Sequence, residues 1–219
     1  MSENAPSASS KKMATVNQQG SRSDLIGVDP SETTRRTPFS ANCIKAYFQG
    51  ALHDGTYSQN HRFRIAQKGT GWLKMLRKLL KQIGYNAWIY REGKNRSVFI
   101  LETLAEFLDL RFDPLRLKTQ AEQKSYIRGF FDAEGGIPHS SSARFYIQLV
   151  QKDKTKMRKL KKMLIGLGIC TGKVHNPSRR VDPNYWRLFV LAKSQKDFVR
   201  IIGTWHPRKI KILARRVMI

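Results

Sequence analysis

Tyr47-Phe48-Gln49-Gly50-Ala51-Leu52-His53-Asp54-Gly55 and Ile127-Arg128-Gly129-Phe130-Phe131-Asp132-Ala133-Glu134-Gly135 are the two stretches that decide how this chain folds. Each closes an apolar helical run on a carboxylate followed by glycine. The C-terminal end of a helix carries partial negative charge, so an acid there is unfavourable by roughly 0.3–1 kcal/mol, and Lys, Arg or His is what stability prefers. The chain has only 16 Asp and Glu against 41 Lys and Arg, yet it places an acid at this position twice.

Working outward, the chain reads as one unit written twice. Each half opens with a helix ending at the carboxylate (about 40–54 and 120–134). A β-like stretch follows, Arg62–Lys68 in one half and Arg144–Lys152 in the other. Next comes an amphipathic helix: Leu73, Leu76, Leu79, Leu80 and Ile83 share a face closed by Gly84, and Met157, Leu160, Met163, Leu164 and Leu167 share one closed by Gly168. Two further β-like runs end at Ser97–Leu101 and Arg187–Leu191. A short helical segment and a Pro-basic element then close each half, Phe112–Lys118 and Trp205–Lys211. The spacing between matched positions grows from 80 (Asp54, Glu134) through 84 (Gly84, Gly168) and 90 (Phe99, Phe189) to 93 (Lys118, Lys211). Insertions confined to loops produce such a drift. The pattern predicts an α+β fold of two pseudo-symmetric αββαββα subdomains with antiparallel sheets, residues 38–118 and 119–219. Residues 1–37, polar and without hydrophobic period, are expected to be a disordered arm, with phosphate contacts open to Lys11-Lys12 and Arg35-Arg36.

Charge narrows the partners. The formal net charge is +25, of which residues 38–219 carry +24. Such density repels itself unless a polyanion neutralises it, and nucleic acid is the expected one. No apolar run approaches the ~20 residues that span a bilayer, and no signal-peptide pattern is seen, so no membrane is expected. Cys43 and Cys170 lack metal-ligand spacing, which disfavours zinc and suits an intracellular, reducing compartment such as cytoplasm, nucleoid or organelle matrix. No Walker loop, H-E-x-x-H or zinc-knuckle pattern supports another enzyme class.

Placed at the end of a helix in each half of a duplicated basic chain, the two motifs resemble the LAGLIDADG homing endonucleases of the single-chain, two-motif kind. The resemblance covers residues 38–219. It implies that the motif helices pack together at the subdomain interface, that the two sheets form a DNA-binding saddle, and that one acid from each motif holds divalent metal and cuts DNA. Asp54 and Glu134 then become the catalytic acids and, together with Gly55 and Gly135, the metal site, while Asp132 helps end its helix. The second motif has the family spacing. The first is one residue shorter between glycine and acid, so matching Asp54 to Glu134 sets Gly50 and Ala51 against the register of Phe130 and Phe131, and Gln49 in the place of Gly129. Mg²⁺ is the expected cofactor, with Mn²⁺ or Ca²⁺ able to replace it for binding.

No histidine or lysine stands beside both acids, and His53 precedes only Asp54, so metal and polar neighbours are expected to organise the attacking water. The resemblance puts such neighbours at Gln67 and Gln151, and catalytic basic residues at Lys118 and Lys211. Strand alternation separates Phe63, Ile65 and Gln67 from Arg62 and Arg64, and Phe145, Ile147 and Leu149 from Arg144, Tyr146 and Gln148. Arg against guanine and Gln against adenine are major-groove contacts of this type. Arg91, Asn95, Ser97, Lys173, His175 and Arg187 are further DNA-binding candidates. The basic runs Lys74–Lys81 and Lys154–Lys162 are expected on the far side of each sheet, as solvated faces.

The resemblance therefore implies a monomeric, site-specific double-strand endonuclease with a long degenerate target. An RNA-binding intron maturase acting on its own intron RNA, or a catalytically silent DNA-binding protein, are the alternatives on the same scaffold. Retention of both acids favours the nuclease, since a protein that only binds would gain from lysine near phosphate.

Overall fold

The computed structural model describes residues 39–58, 62–94 and 96–217; the expected arm and Asn95 lie outside them. Helix α1 (Ala41–Ala51) starts at Ser40, whose hydroxyl accepts the Cys43 N–H. Helix α3 (Gln120–Glu134) starts at Thr119 in a reciprocal capping box with Glu122. Between them lie β1 (Gly55–Tyr57), β2 (Phe63–Lys68), α2 (Gly71–Gln82), β3 (Ala87–Arg91) and β4 (Val98–Thr103). After α3 come β5 (Gly135–Gly136), β6 (Ile147–Gln151), α4 (Lys154–Gly166), β7 (Trp186–Val190), α5 (Gln195–Ile201) and α6 (Pro207–Arg216). Both sheets are antiparallel, in the orders β1-β2-β4-β3 and β5-β6-β7.

The two units differ from the expected strict repeat in four places. In the second sheet the run before β7 makes only isolated bridges, Thr171 to Val190 and His175 to Arg187; Gly172 inside it weakens a strand. The first unit has no counterpart of α5, and its Pro-basic element forms only the 3₁₀ turn Pro114–Arg116 where the second forms α6. Strand β6 begins at Ile147, so Arg144–Tyr146 are irregular.

The amphipathic helices form as their spacing predicts. Leu73, Leu76 and Leu80 of α2 and Met157, Leu160, Met163 and Leu164 of α4 are buried, and Gly84 and Gly168 take φ +84° and +77° just past the ends. Two apolar cores result, one around Ile44, Phe48, Leu76 and Leu101, the other around Ile127, Phe131, Leu149 and Leu164. Lys74, Arg77, Lys78 and Lys81 lie exposed as expected. The second run departs from that expectation: Lys156 and Lys161 donate to the Leu110 and Gly172 carbonyls (3.0 Å each), Lys159 pairs with Asp113 (2.9 Å), and Lys154 sits 4.2 Å from the Trp186 ring centre.

Helices α1 and α3 pack backbone to backbone. A Cβ at Gly50 would stand 2.7 Å from the Phe130 nitrogen and closer still to the Tyr126 carbonyl oxygen. One at Gly129 would stand 2.9 Å from the Ala51 nitrogen and closer still to the Tyr47 oxygen. The contact is reciprocal, so Gly50 is the partner of Gly129, which corrects the register expected from matching the acids. Gly129→Ala should therefore destabilise by ~3 kcal/mol or more, since the clash is with backbone that cannot repack. Gly166→Ala, on α4 with nothing within 4 Å of its Cβ, should gain up to ~1 kcal/mol. Urea unfolding of the two variants checks both signs.

Candidate functional site

With the glycines matched, the motif helices share a longer pattern at a spacing of 79: Tyr47, Gly50, His53 and Tyr126, Gly129, Asp132. Each tyrosine hydroxyl crosses to the other helix. Tyr47 Oη donates to Asp132 Oδ2 and Tyr126 Oη meets His53 Nε2, both at 2.7 Å. Downstream of this pattern the spacing is 80, because Gly55 and Gly135 occupy equivalent places opposite Ile65 and Leu149.

A change of helix type absorbs the missing residue. After Ala51 the first motif runs as the 3₁₀ turn Leu52–Asp54, closed by the Gly55 N–H on the Leu52 carbonyl, whereas α3 stays α-helical and closes Gly135 on Phe131. Three 3₁₀ residues rise about 6 Å, as do four α residues. The backbone of residue 54 therefore reaches the axial height of Glu134. Gly135 is required by space, since its Cβ would fall 2.7 Å from Phe131 Cε2.

The acid at the end of α3 is offset from another element. Lys209 of α6 is buried with its ammonium on the Phe131 and Asp132 carbonyls, 3.0 Å from the latter, so a cation does sit at this helix terminus. Asp132 is buried and accepts from Tyr47 Oη, the Thr204 hydroxyl and the Trp205 N–H (2.9 Å). Burial pushes its carboxyl above the usual range despite those donors. Trp72 Nε1 in turn donates to Tyr47 Oη (2.9 Å). This network ties α1, α2, α3 and the 204–205 turn together, confirming a structural part for Asp132 larger than helix termination.

On the other side of the interface the same positions build a cleft. A cavity of about 380 Å³ is lined by His53, Gly55, Thr56, Glu134, Val150, Gln151, Lys152 and Tyr185. Gln151 Oε1 accepts the Lys152 backbone N–H (2.7 Å), which identifies its Nε2 as the donor facing His53 Nδ1 at 3.3 Å. Nδ1 accordingly accepts, and Nε2 carries the ring proton toward Tyr126 Oη. Burial first, then Lys156, lowers the His53 pKa to about 3, so the ring is neutral. Gln151 is thereby fixed at both ends and retains one N–H and one oxygen lone pair.

Of the residues singled out from sequence, Glu134, Gly55 and Gln151 come together, with Asp54 adjoining through its backbone between His53 and Gly55. Gln67 lies in a separate hollow of about 480 Å³ with Lys68, Trp72 and His206. Lys118 does not join the cleft: it precedes the N-cap of α3, roughly 24 Å along the axis from Glu134. Lys211 is exposed on α6, about 200° around from Lys209. Lys152, and Lys68 in the first unit, are instead the lysines beside the glutamines. The repeated Gln-Lys pair was the signal for them.

On the sheets, Arg62 and Arg64 flank Glu102 (3.1 Å each). Arg91 Nε turns to the Arg96 carbonyl (2.8 Å), and Ser97 is exposed before β4. Arg144 is exposed, Tyr146 lies edge-on to Phe189, and Gln148 covers Gly136. Lys173 is exposed; His175 stacks on Phe189, and Arg187 on Tyr185.

Among the described residues no three His, Cys, Asp or Glu side chains converge as a metal cage. The cleft offers the Glu134 carboxylate with amide and backbone oxygens. That donor set suits a hydrated hard cation such as Mg²⁺ and does not suit zinc.

Residues 121–203 match the family model of a LAGLIDADG-like domain. The fold matches I-DmoI in complex with DNA and Mn (19% identity, 74% of this chain and 97% of that one, TM-score 0.57) and with DNA and Ca (18%, 80% and 98%, 0.60). The chain has a LAGLIDADG fold. Full-length DUF199/WhiA from Thermotoga maritima shares this LAGLIDADG fold, at 18% identity over 84% of this chain and 62% of that one, with TM-score 0.62. No curated sequence matches the chain. The family includes metal-dependent DNA endonucleases, and I-DmoI is one.

If the two acids near the end of α3 differ in role as the geometry shows, their substitutions separate. Asp132→Ala leaves three donors unsatisfied and should cost ~2–4 kcal/mol. Glu134→Gln in metal-free protein should change stability by no more than ~1 kcal/mol. Guanidinium unfolding distinguishes them.

Proposed function

We propose that the chain is a site-specific double-strand DNA endonuclease of the homing type that works with a divalent metal. One observation carries this reading: the cleft where Glu134 from one half meets His53, Gly55 and Thr56 from the other, with Gln151 fixed beside them. A hard cation held by Asp54 and Glu134, with Gly55 and Gly135 adjoining, would polarise the scissile phosphate and activate a bound water. Gln151 offers that water one donor and one acceptor, and the His53 bond keeps the amide from rotating away. Lys152, with Lys68 in the other half, offsets phosphate charge, a role that Lys118 and Lys211 are too far away or wrongly directed to fill. Double-stranded DNA lies along the outer faces of the two sheets, and one chain supplies both halves.

The solved complexes of I-DmoI with DNA and Mn, Mg or Ca support the choice of partner and metal class. The same fold is found in DUF199/WhiA, and binding without cleavage is the second reading.

Purified protein with Mg²⁺ should linearise members of a plasmid library carrying randomised inserts. Asp54→Asn or Glu134→Gln should abolish this while duplex binding in Ca²⁺ survives, and Gln151→Ala should slow it ~10²-fold or more. Affinity should fall ~10³-fold or more between 50 and 200 mM salt, as counterion release requires. Intact plasmid at every Mg²⁺ concentration with binding retained would establish the second reading, and preference for structured RNA would establish a maturase.

A further inference from the structure

The outer face of the first sheet holds an arrangement that phosphate attraction does not explain. The register sets Arg64 of β2 opposite Glu102 of β4, and Glu102 opposite Trp88 of β3. Glu102 lies at the floor, with its side chain 11% exposed, beneath Arg62 and Arg64 at 45% and 30%. Its Oε2 accepts from Arg62 Nη1 at 3.1 Å, and its Oε1 stands 3.1 Å from Arg64 Nε as an ion pair out of hydrogen-bond alignment. Tyr90 Oη donates to Oε1 at 2.6 Å and accepts from Arg64 Nη2 at 3.1 Å. Arg64 Nη2 is also 3.6 Å from Glu92, and the Arg62 guanidinium lies 5.9 Å from the Trp88 ring centre.

A chain of net charge +25 has few acids, and one on a polyanion-facing surface weakens attraction to phosphate. Something must offset that loss. Guanidinium groups read guanine through two N–H bonds in one plane, so their value for specificity depends on a fixed orientation. A free arginine on a strand swings and serves any phosphate equally well.

We propose that Glu102 and Tyr90 are positioning residues that fix the guanidinium planes of Arg62 and Arg64, turning two phosphate-seeking side chains into readers of guanine. The proposal rests on the DNA-binding reading above. Glu102 is well placed for it: the Tyr90 hydrogen bond first, then Arg62 and Arg64, hold its carboxyl below the usual range, so it stays charged. The second sheet is built otherwise. By the register, Gln148 opposite Phe189 stands where Arg64 opposite Glu102 stands in the first sheet, so a ring replaces the acid, and Arg187 beside it is held by the Tyr185 ring and hydroxyl (3.1 Å). Guanine preference therefore belongs to the half-site under the first unit.

The test is selection of bound duplexes from a library of randomised 30-base-pair DNA in Ca²⁺, followed by sequencing, for wild type, Glu102→Gln and Tyr90→Phe. Wild type should enrich guanine at fixed positions in one half-site. Glu102→Gln should bind unselected duplex several-fold tighter, having lost a negative charge, yet discriminate at those positions at least tenfold less. Tyr90→Phe should lose discrimination without the affinity gain, since its charge is unchanged. Thermal midpoints establish that both variants are folded. A Glu102→Gln protein that gains affinity for selected and mismatched duplexes by the same factor, with Tyr90→Phe behaving as wild type, would reduce Glu102 to a passing charge and overturn the proposal. Enrichment by wild type with the same base preference in both variants overturns it alone. Failure of wild type to enrich any sequence removes the DNA reading along with it.

Discussion

Everything in this molecule is hung from two helices that touch through their main chains. At Gly50 and Gly129 the space a methyl group would need is already taken by the backbone of the facing helix. Such an approach removes water completely from the contact and fixes both rotation and height of the pair. The crossed hydroxyls of Tyr47 and Tyr126 follow from it, since each needs its partner helix at one distance to make a 2.7 Å bond. The two cores then grow outward on either side, and each sheet begins at the glycine that ends its motif.

Around this shared axis the halves have become chemically unlike. At one tyrosine sits an aspartate, closed off by Thr204, Trp205 and Trp72. At the other sits a neutral histidine that hands its remaining nitrogen to Gln151 at the edge of the cleft. One side of the interface is thus devoted to holding the molecule together and the other opens onto the candidate chemistry. The sheets diverge in the same way, with charge paired to charge over Glu102 and an aromatic and imidazole surface around Phe189.

Much of this was legible in the sequence because it is carried by local periodicity. The Leu and Met spacing of α2 and α4, their glycine stops, and the order of elements all depend on residues close in the chain. What escaped depends on distance. The Tyr-Gly-His and Tyr-Gly-Asp pattern lines up only on the glycines and not on the acids, because a turn of the first helix changes its pitch, which no rule of composition announces. Lys209 could not be separated from Lys211 without knowing which face of α6 meets α3. Lys118 looked equivalent to Lys211 by spacing, but the segment before α3 never forms the helix that α6 forms. Lys152 directly follows Gln151, but an exposed lysine after a strand carries no mark of its own in sequence.

The 3₁₀ turn at Leu52–Asp54 has a meaning for the history of the chain as well as for its geometry. Loss of one codon inside a helix ordinarily swings everything beyond it by about 100° and drops it by about 1.5 Å. Here the lost height is recovered within a single tighter turn, at the end of a helix where such turns form readily. One half of such a repeat can therefore be a residue shorter than the other without disturbing the level at which its motif ends. The two halves can differ in length at their motif ends while the glycine contact, which neither can alter alone, is kept.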